Sequence, residues 1–427
     1  MFETYAFLYL TLLMAFLVSY FRGARDHIFA PWPGYPLLFS TYFLFGTMTL
    51  TTPVSDGQWL LYTLALIGFW AGSLLVRASS KPLLKITKDE LDVQKSYFRQ
   101  SLNVPLVALV SFGGLALTLY LWQQSGIPLF SQNVDEARTS MVSNGYVAQL
   151  ATSLDVAAIF ALAYLFASWG SKRSQRFWIC VLIVAVFVLV AVLSGSRSRF
   201  LKLALPGACL FHFLVRPIRL KALVILAFSG FIFIGLLGYY RWYSLWGELN
   251  RSEGLTLDAI FSYAFYELNT AASGLSIVLT HIPDFSPHTD GYLHLGPFTT
   301  PFGSGIPTPG DHFKQMIGGR WAGFGLAATF IAPMYADFSW AGVLGLCTLY
   351  AVILMLAYRA ARIPRRTRIY KLCTYATIYF FVVSGIRSDW LSFEFIWFVA
   401  VGLGFYWLRR GSPQQSKAVT QPAQHPT

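Results

Sequence analysis

The sequence predicts an all-α membrane protein, a single polytopic bundle of about eleven transmembrane helices. Three observations carry that reading. Of 427 residues, 56% are hydrophobic and only 12% charged, with a mean hydropathy of +0.54, whereas soluble domains carry about 25% charged residues. Apolar runs long enough to cross ~30 Å of hydrocarbon recur along the whole chain. Basic residues also alternate in density from one connection to the next, as they do across a bilayer.

Taken in order, apolar runs fall near residues 4–21, 36–52, 58–76, 104–122, 150–169, 177–194, 200–215, 222–240, 340–358, 371–387 and 391–408. The first begins at once, at Met1-Phe-Glu-Thr-Tyr-Ala, without the basic leader and small-residue cleavage site of a signal peptide. Its early charge is Glu3, and Arg22 and Arg25 follow the run, which places the N-terminus outside. The membrane domain is expected over 1–408, with outer loops at 123–149 and 241–339. The polar, Pro-bearing tail 409–427 is expected to be a disordered cytoplasmic segment. Within the second loop, Leu257 to Leu279 reads as an amphipathic outer helix, because Asp258 and Glu267 would be costly in hydrocarbon. Were that stretch a span, a partner near 323–338 would restore parity and bring the count to twelve or thirteen.

Charge tests the topology. Segments 22–34, 77–103, 170–176, 216–221, 359–371 and 409–427 hold 23 of the 32 Lys and Arg, and the other side holds nine. That bias assigns the N-terminus to the periplasm and the C-terminus to the cytoplasm of a bacterial inner membrane. A formal net charge of +13 would suggest nucleic acid in a soluble protein; here it is a topology signal, and no nucleic-acid partner is expected. Cys180, Cys209, Cys347 and Cys373 all lie in apolar runs, so neither a disulfide framework nor a metal cluster is expected.

Several chemistries lack their signatures. There is no Gly-rich loop ending in Gly-Lys-Ser/Thr, no dinucleotide fingerprint and no His-Glu-x-x-His. What stands out is arginine where topology disfavours it. Ser194-Gly195-Ser196-Arg197-Ser198-Arg199 is an outer turn so short that both arginines lie at bilayer depth, and Arg241, Arg320 and Arg387 adjoin outer boundaries. Guanidinium forks grip phosphate oxygens in pairs and stay charged at any working pH, so this set suits a lipid diphosphate. The plainer alternative is that each snorkels or pairs with a carboxylate.

Acid–base candidates gather in the long outer segment: Glu267, His288, His294, Asp311, His312 and Asp337. Pro307-Thr-Pro-Gly-Asp311-His312 places two titratable neighbours in one turn and ranks first, with Glu267 as the competing base. Asp337 and Asp389 sit beside helix ends, where capping is the simpler explanation.

These features together resemble the Wzy-type O-antigen polymerase family. The resemblance rests on the Gly195-Ser-Arg-Ser198 turn, the closing run Gly318-Gly-Arg-Trp-Ala-Gly-Phe-Gly325 and the stretch Ile331-Ala-Pro-Met-Tyr-Ala-Asp-Phe-Ser-Trp-Ala-Gly342. It extends to Gly126-Ile-Pro and Arg138 in the first outer loop, and covers about residues 100 to 400. The chain departs from the pattern at Pro333, where an acidic residue is common, and at Ser339, where Gly is usual. The resemblance implies a multi-spanning, GT-C-like glycosyltransferase without cofactor or metal. Such an enzyme transfers a growing chain from one undecaprenyl diphosphate onto the sugar of another, outside the inner membrane, and can work with a chain-length regulator. Arg197 then carries over as the leading phosphate contact. A polysaccharide ligase, a lipid-linked-sugar flippase and a structural assembly partner remain open on the residues alone.

Overall fold

The computed structural model describes residues 8–15, 17–18, 29–48, 54–79, 86–131, 137, 145–171, 173–219, 221–222, 225, 228–233, 235–236, 238–239, 256–299, 307–319, 326–387 and 392–409. Among them every regular element is helical. In chain order the helices are α1 (Pro31–Met48), α2 (Asp56–Ala78), α3 (Lys88–Ser101), α4 (Val104–Ser125), α5 (Gly145–Ala151), α6 (Ser153–Ala167) and α7 (Gln175–Leu193). They continue with α8 (Arg197–Leu214), α9 (Leu257–His281), α10 (Tyr292–Thr299), α11 (Pro309–Met316), α12 (Ile331–Arg362), α13 (Arg368–Ser384) and α14 (Phe393–Trp407).

Five stretches are long and apolar enough to cross a bilayer: Asp56–Ala78, Val104–Phe130, Gly145–Ala167, Gln175–Leu193 and Ile331–Arg362. Shorter helices α1, α8, α13 and α14 fall on the apolar runs expected near 36–52, 200–215, 371–387 and 391–408. Residues 221–239 are helical wherever they are described, as are 8–15. The tail beyond Arg409 lies outside the described residues.

The tightest joint is between α2 and α12. Gly68 and Gly72 stand one turn apart on α2, and a methyl group at Gly68 would lie 2.7 Å from the Leu344 carbonyl oxygen and 2.8 Å from Cys347 Cβ. Gly72 likewise abuts the Thr348 carbonyl. This small-xxx-small spacing lets two backbones touch, which is how helices associate where lipid removes the hydrophobic drive. Beside that joint runs an aromatic seam: Phe43 and Tyr62 lie 4.3 Å apart, Tyr35 and Phe69 4.4 Å, and Phe39 and Phe43 4.6 Å. All four cysteines are free and buried.

The segment expected as a basic connection at 77–103 contains α3, started by a reciprocal cap. Thr87 Oγ1 accepts from Glu90 N (3.2 Å) while the Thr87 N–H donates to Glu90 Oε2 (2.9 Å). One basic residue counted with that side is not solvated. Arg368 is 2% exposed and donates to the Ala361 carbonyl (2.9 Å) and to Gln94 Oε1 (3.1 Å) on α3, tying α3 to α13.

Among the described residues, the long segment 241–339 is helical in four places, α9, α10, α11 and the start of α12. Helix α9 buries Ile260, Ala264, Ala271, Leu275 and Val278 on one stripe and exposes Asp258, Ser262 and Tyr266 on the other. It is not among the five bilayer-length apolar helices. It packs on α1, where Leu268 meets Gly46, and accepts from Gln58 Nε2 at the Ala272 carbonyl (2.9 Å). The stretch read as a turn at 307–312 begins a helix instead: Thr308 caps α11 and Pro309 fills its first position, where no N–H is needed. Helix α12 starts at Ile331, earlier than the run expected from residue 340, and breaks at Phe338 and Ser339.

Candidate functional site

The turn between α7 and α8 is shaped by its small residues. Gly195 takes φ +57°, in the left-handed region that favours glycine. Ser196 caps α8, its Oγ accepting from Arg199 N (3.4 Å) and lying 2.9 Å from Ser198 Oγ. Arg197 is therefore the first residue of α8, and its side chain falls outside the described residues.

Arg199 is committed elsewhere. Its Nε and Nη2 donate to Asp155 Oδ1 on α6 at 3.0 and 2.8 Å. Three residues later on the same helix, Lys202 lies 3.6 Å from Asp155 Oδ2 and also pairs with Glu394 on α14. Trp397 Nε1 donates to Ser153 Oγ (3.0 Å), and the Lys202 ammonium stands 5.7 Å from the Phe398 ring centroid. Two cations and two carboxylates thus form one partly buried tie between α6, α8 and α14. The Asp155 side chain is wholly buried. Beside the tie, an apolar cavity of about 370 Å³ is lined by Leu106, Gly113, Gly114, Trp397, Gly404 and Phe405.

A second cluster forms where α10, α11 and the start of α12 meet. Asp337, 1% exposed, caps α10 from outside: Oδ1 accepts from Leu293 N (3.2 Å) and from the Thr289 hydroxyl, and Oδ2 accepts from His294 N (3.0 Å). Oδ2 also pairs with His294 Nδ1. Capping is thus part of what Asp337 does, though of a distant helix rather than its own, and the capped helix returns an imidazole to it. His288 Nδ1 lies 3.1 Å from the Ala336 carbonyl.

Asp311 and His312 stand side by side on α11 with different fates. Thr308 Oγ1 donates to Asp311 Oδ2 (2.7 Å) while accepting from Asp311 N (3.3 Å), so the carboxylate is held in the helix cap. His312 Nε2 is buried and makes no hydrogen bond among the described residues. Burial lowers the His312 imidazole from its usual value, and the charge of Asp337 opposes that shift.

The glycines of the closing run have a local cause. Gly318 takes φ +68° after α11, and the N–H groups of Gly318 and Gly319 bond back to the carbonyls of Gln315 and Lys314, each at 2.9 Å. That paired closure ends a helix and turns the chain away. The chain is fixed again where Leu326 N donates to the Gly310 carbonyl (2.8 Å), Thr329 N to Arg387 O (3.2 Å) and Phe330 N to Gly385 O (3.0 Å). Arg387, exposed, therefore sits just past the C-terminal end of α13, against the residues that follow the closing run. Arg241 and Arg320 lie outside the described residues, as does the side chain of Glu267 on α9.

Sequence reasoning missed Asp155, Lys202 and Glu394 and ranked His294 behind its neighbours. The signal for the first three was present: ionisable residues inside apolar runs are costly and find partners. The signal for His294 was not, since its partner lies 43 residues away in sequence.

The model of the family described as "Putative O-antigen polymerase" matches residues 27–398, both clusters included. No curated protein and no solved structure matches the chain. With 27–398 of 427 residues matched, the chain belongs to the O-antigen polymerase family.

Proposed function

We propose that this protein joins oligosaccharide repeat units carried on undecaprenyl diphosphate, at the periplasmic face of a bacterial inner membrane. Family membership carries the reading. The polymerase is a multi-pass membrane protein acting on a lipid-linked oligosaccharide. The finer statements rest on chemistry and charge. The bias of 23 to nine basic residues supports about eleven spans in one membrane domain, with the N-terminus out and the C-terminus in. The plan is GT-C-like, with a chain-length regulator as a partner.

The donor is an anomeric carbon attached to a diphosphate, already a good leaving group. Arg197, Arg241, Arg320 and Arg387 neutralise the charge that develops on it, without a metal. Arg199 keeps only Nη1 free of Asp155 for this purpose, and its larger contribution is to hold the start of α8, and so Arg197, in place. The apolar cavity beside the tie offers a seat for part of the polyprenyl tail. A base on the acceptor side removes the proton of the attacking hydroxyl. Asp311, His312 and Glu267 are the candidates from the sequence, and the first two lie in the cluster around Asp337. Charges within spans would suit a transporter, but here Asp155, Arg199, Lys202 and Glu394 neutralise one another, which favours a structural tie.

A deletion strain tests the reading. On a gel of its lipopolysaccharide or capsule, loss of the polymerase leaves a single-repeat band. Polymer of normal length accumulating on the lipid carrier would instead mean a ligase.

A further inference from the structure

We infer that His294, oriented by Asp337, is the base that takes the proton from the acceptor hydroxyl. The inference rests on the polymerase reading and names a residue of its acceptor site.

The geometry separates four groups that composition cannot. The Asp311 carboxylate is occupied by the Thr308 hydroxyl and closes its own helix cap. His312 presents a buried Nε2 with no described partner, and its basicity is reduced by burial. Ala336's carbonyl engages His288 through Nδ1, with no carboxylate behind it. His294 alone of the four has its Nδ1 on a buried carboxylate, and its side chain is 14% exposed. Asp337 receives three further hydrogen bonds, from Thr289, Leu293 N and His294 N, and these favour its ionised form. An ionised carboxylate can only accept, so Nδ1 carries the proton and Nε2 the lone pair. No described residue bonds Nε2. A carboxylate that fixes the tautomer and stabilises the imidazolium, behind a nitrogen left open, is the arrangement of an oriented general base.

The backbone at this point adds a second observation. Ser339, two residues after Asp337, has φ +58° and ψ −157°, a region that is essentially glycine's own. The break at Phe338 and Ser339 turns α12, and Phe338 packs against the His294 ring with centroids 5.7 Å apart. Strain of this kind is found where surrounding structure over-determines a functional geometry.

In the transfer, the acceptor O–H proton moves to His294 Nε2 as the oxygen lone pair forms the new bond to the anomeric carbon. The bond from that carbon to the diphosphate oxygen breaks, and its electron pair leaves with the diphosphate. The products are the extended lipid-linked chain and free undecaprenyl diphosphate, and the imidazolium then releases its proton to water. Titratable groups on the packed elements are Asp337 on α12, His312, Asp311 and Lys314 on α11, and His288, Asp290 and Asp284 on the segment leading into α10.

The test uses full-length protein in lipid nanodiscs and lipid-linked repeat units extracted from the deletion strain. His294→Ala should lower the transfer rate by about 10²-fold or more with donor binding retained. The wild-type rate should fall on acidification as the imidazole is protonated, and that acid limb should vanish in His294→Ala. Asp337→Asn should also slow transfer, by removing the carboxylate that orients the imidazole, and combined with His294→Ala it should be no slower than His294→Ala alone, whereas a merely structural role would make the two losses add. His294→Gln controls for folding, since an amide keeps the bond to Asp337 and cannot serve as a base. If His294→Ala and His294→Gln polymerise at wild-type rates while Glu267→Gln or His312→Ala fails, the inference is overturned and the polymerase reading stands. If the wild-type protein itself makes no polymer, both fall.

Discussion

Replacing Asp155 by Ala should be the most damaging single change inside the membrane part of this protein. The carboxylate is wholly buried and takes two hydrogen bonds from Arg199, at 3.0 and 2.8 Å, with Lys202 at 3.6 Å. Arg199 is itself only 11% exposed in its side chain, so deleting Asp155 strands a guanidinium with little water. Breaking a buried pair from one side costs about 3–5 kcal/mol, against about 0–1 kcal/mol for an exposed pair. Lys202 keeps Glu394, so the lower part of that range, about 3 kcal/mol, is expected. Unfolding in mixed micelles on titration with an anionic detergent reads the change. Asp155→Ala combined with Arg199→Met should be more stable than Asp155→Ala alone, because the stranded charge is gone. A single variant within about 0.5 kcal/mol of wild type would refute the reasoning and make the pair a solvated one.

Three further outcomes follow from particular residues. Arg197→Ala should abolish polymer with normal protein level and insertion, and Arg197→Lys should recover little, because a point charge cannot replace the fork; gels of the variant strains decide it. Ser339→Gly should stabilise the fold by about 1 kcal/mol, the strain relieved exceeding the added chain entropy, as read by the same unfolding titration. A cysteine at Ser286 should react with a membrane-impermeant thiol reagent in intact cells with a permeabilised outer membrane, and one at Ser96 only after lysis; the reverse pattern would invert the topology.

Much of the scaffold was legible because bilayer chemistry writes it plainly. Apolar runs mark α2, α4, α6, α7 and α12 in the sequence, and Asp258 and Glu267 mark the helix of α9 as one that would be costly in hydrocarbon. The cap of α3 also stands in the sequence, as a Thr87 followed three residues later by Glu90. Local chemistry also explains Gly318 and Gly319, which close α11 before they could be credited with anything else. The site was less legible, since its pairings are distant: Asp337 with His294 across 43 residues, Asp155 with Arg199 across 44 and Lys202 with Glu394 across 192. Periodicity says which face a residue occupies, not which helix will stand opposite. Ser339 was visible as a departure from the family pattern, but only its φ of +58° shows why glycine is usual there.

The central claim is tested most directly by supplying purified protein in nanodiscs with undecaprenyl-diphosphate-linked repeat units and nothing else. The account predicts a ladder of products, each longer than the last by one repeat and still on the lipid, with free undecaprenyl diphosphate released in step. Units that stay single, or that extend only when a second acceptor molecule is added, would contradict it.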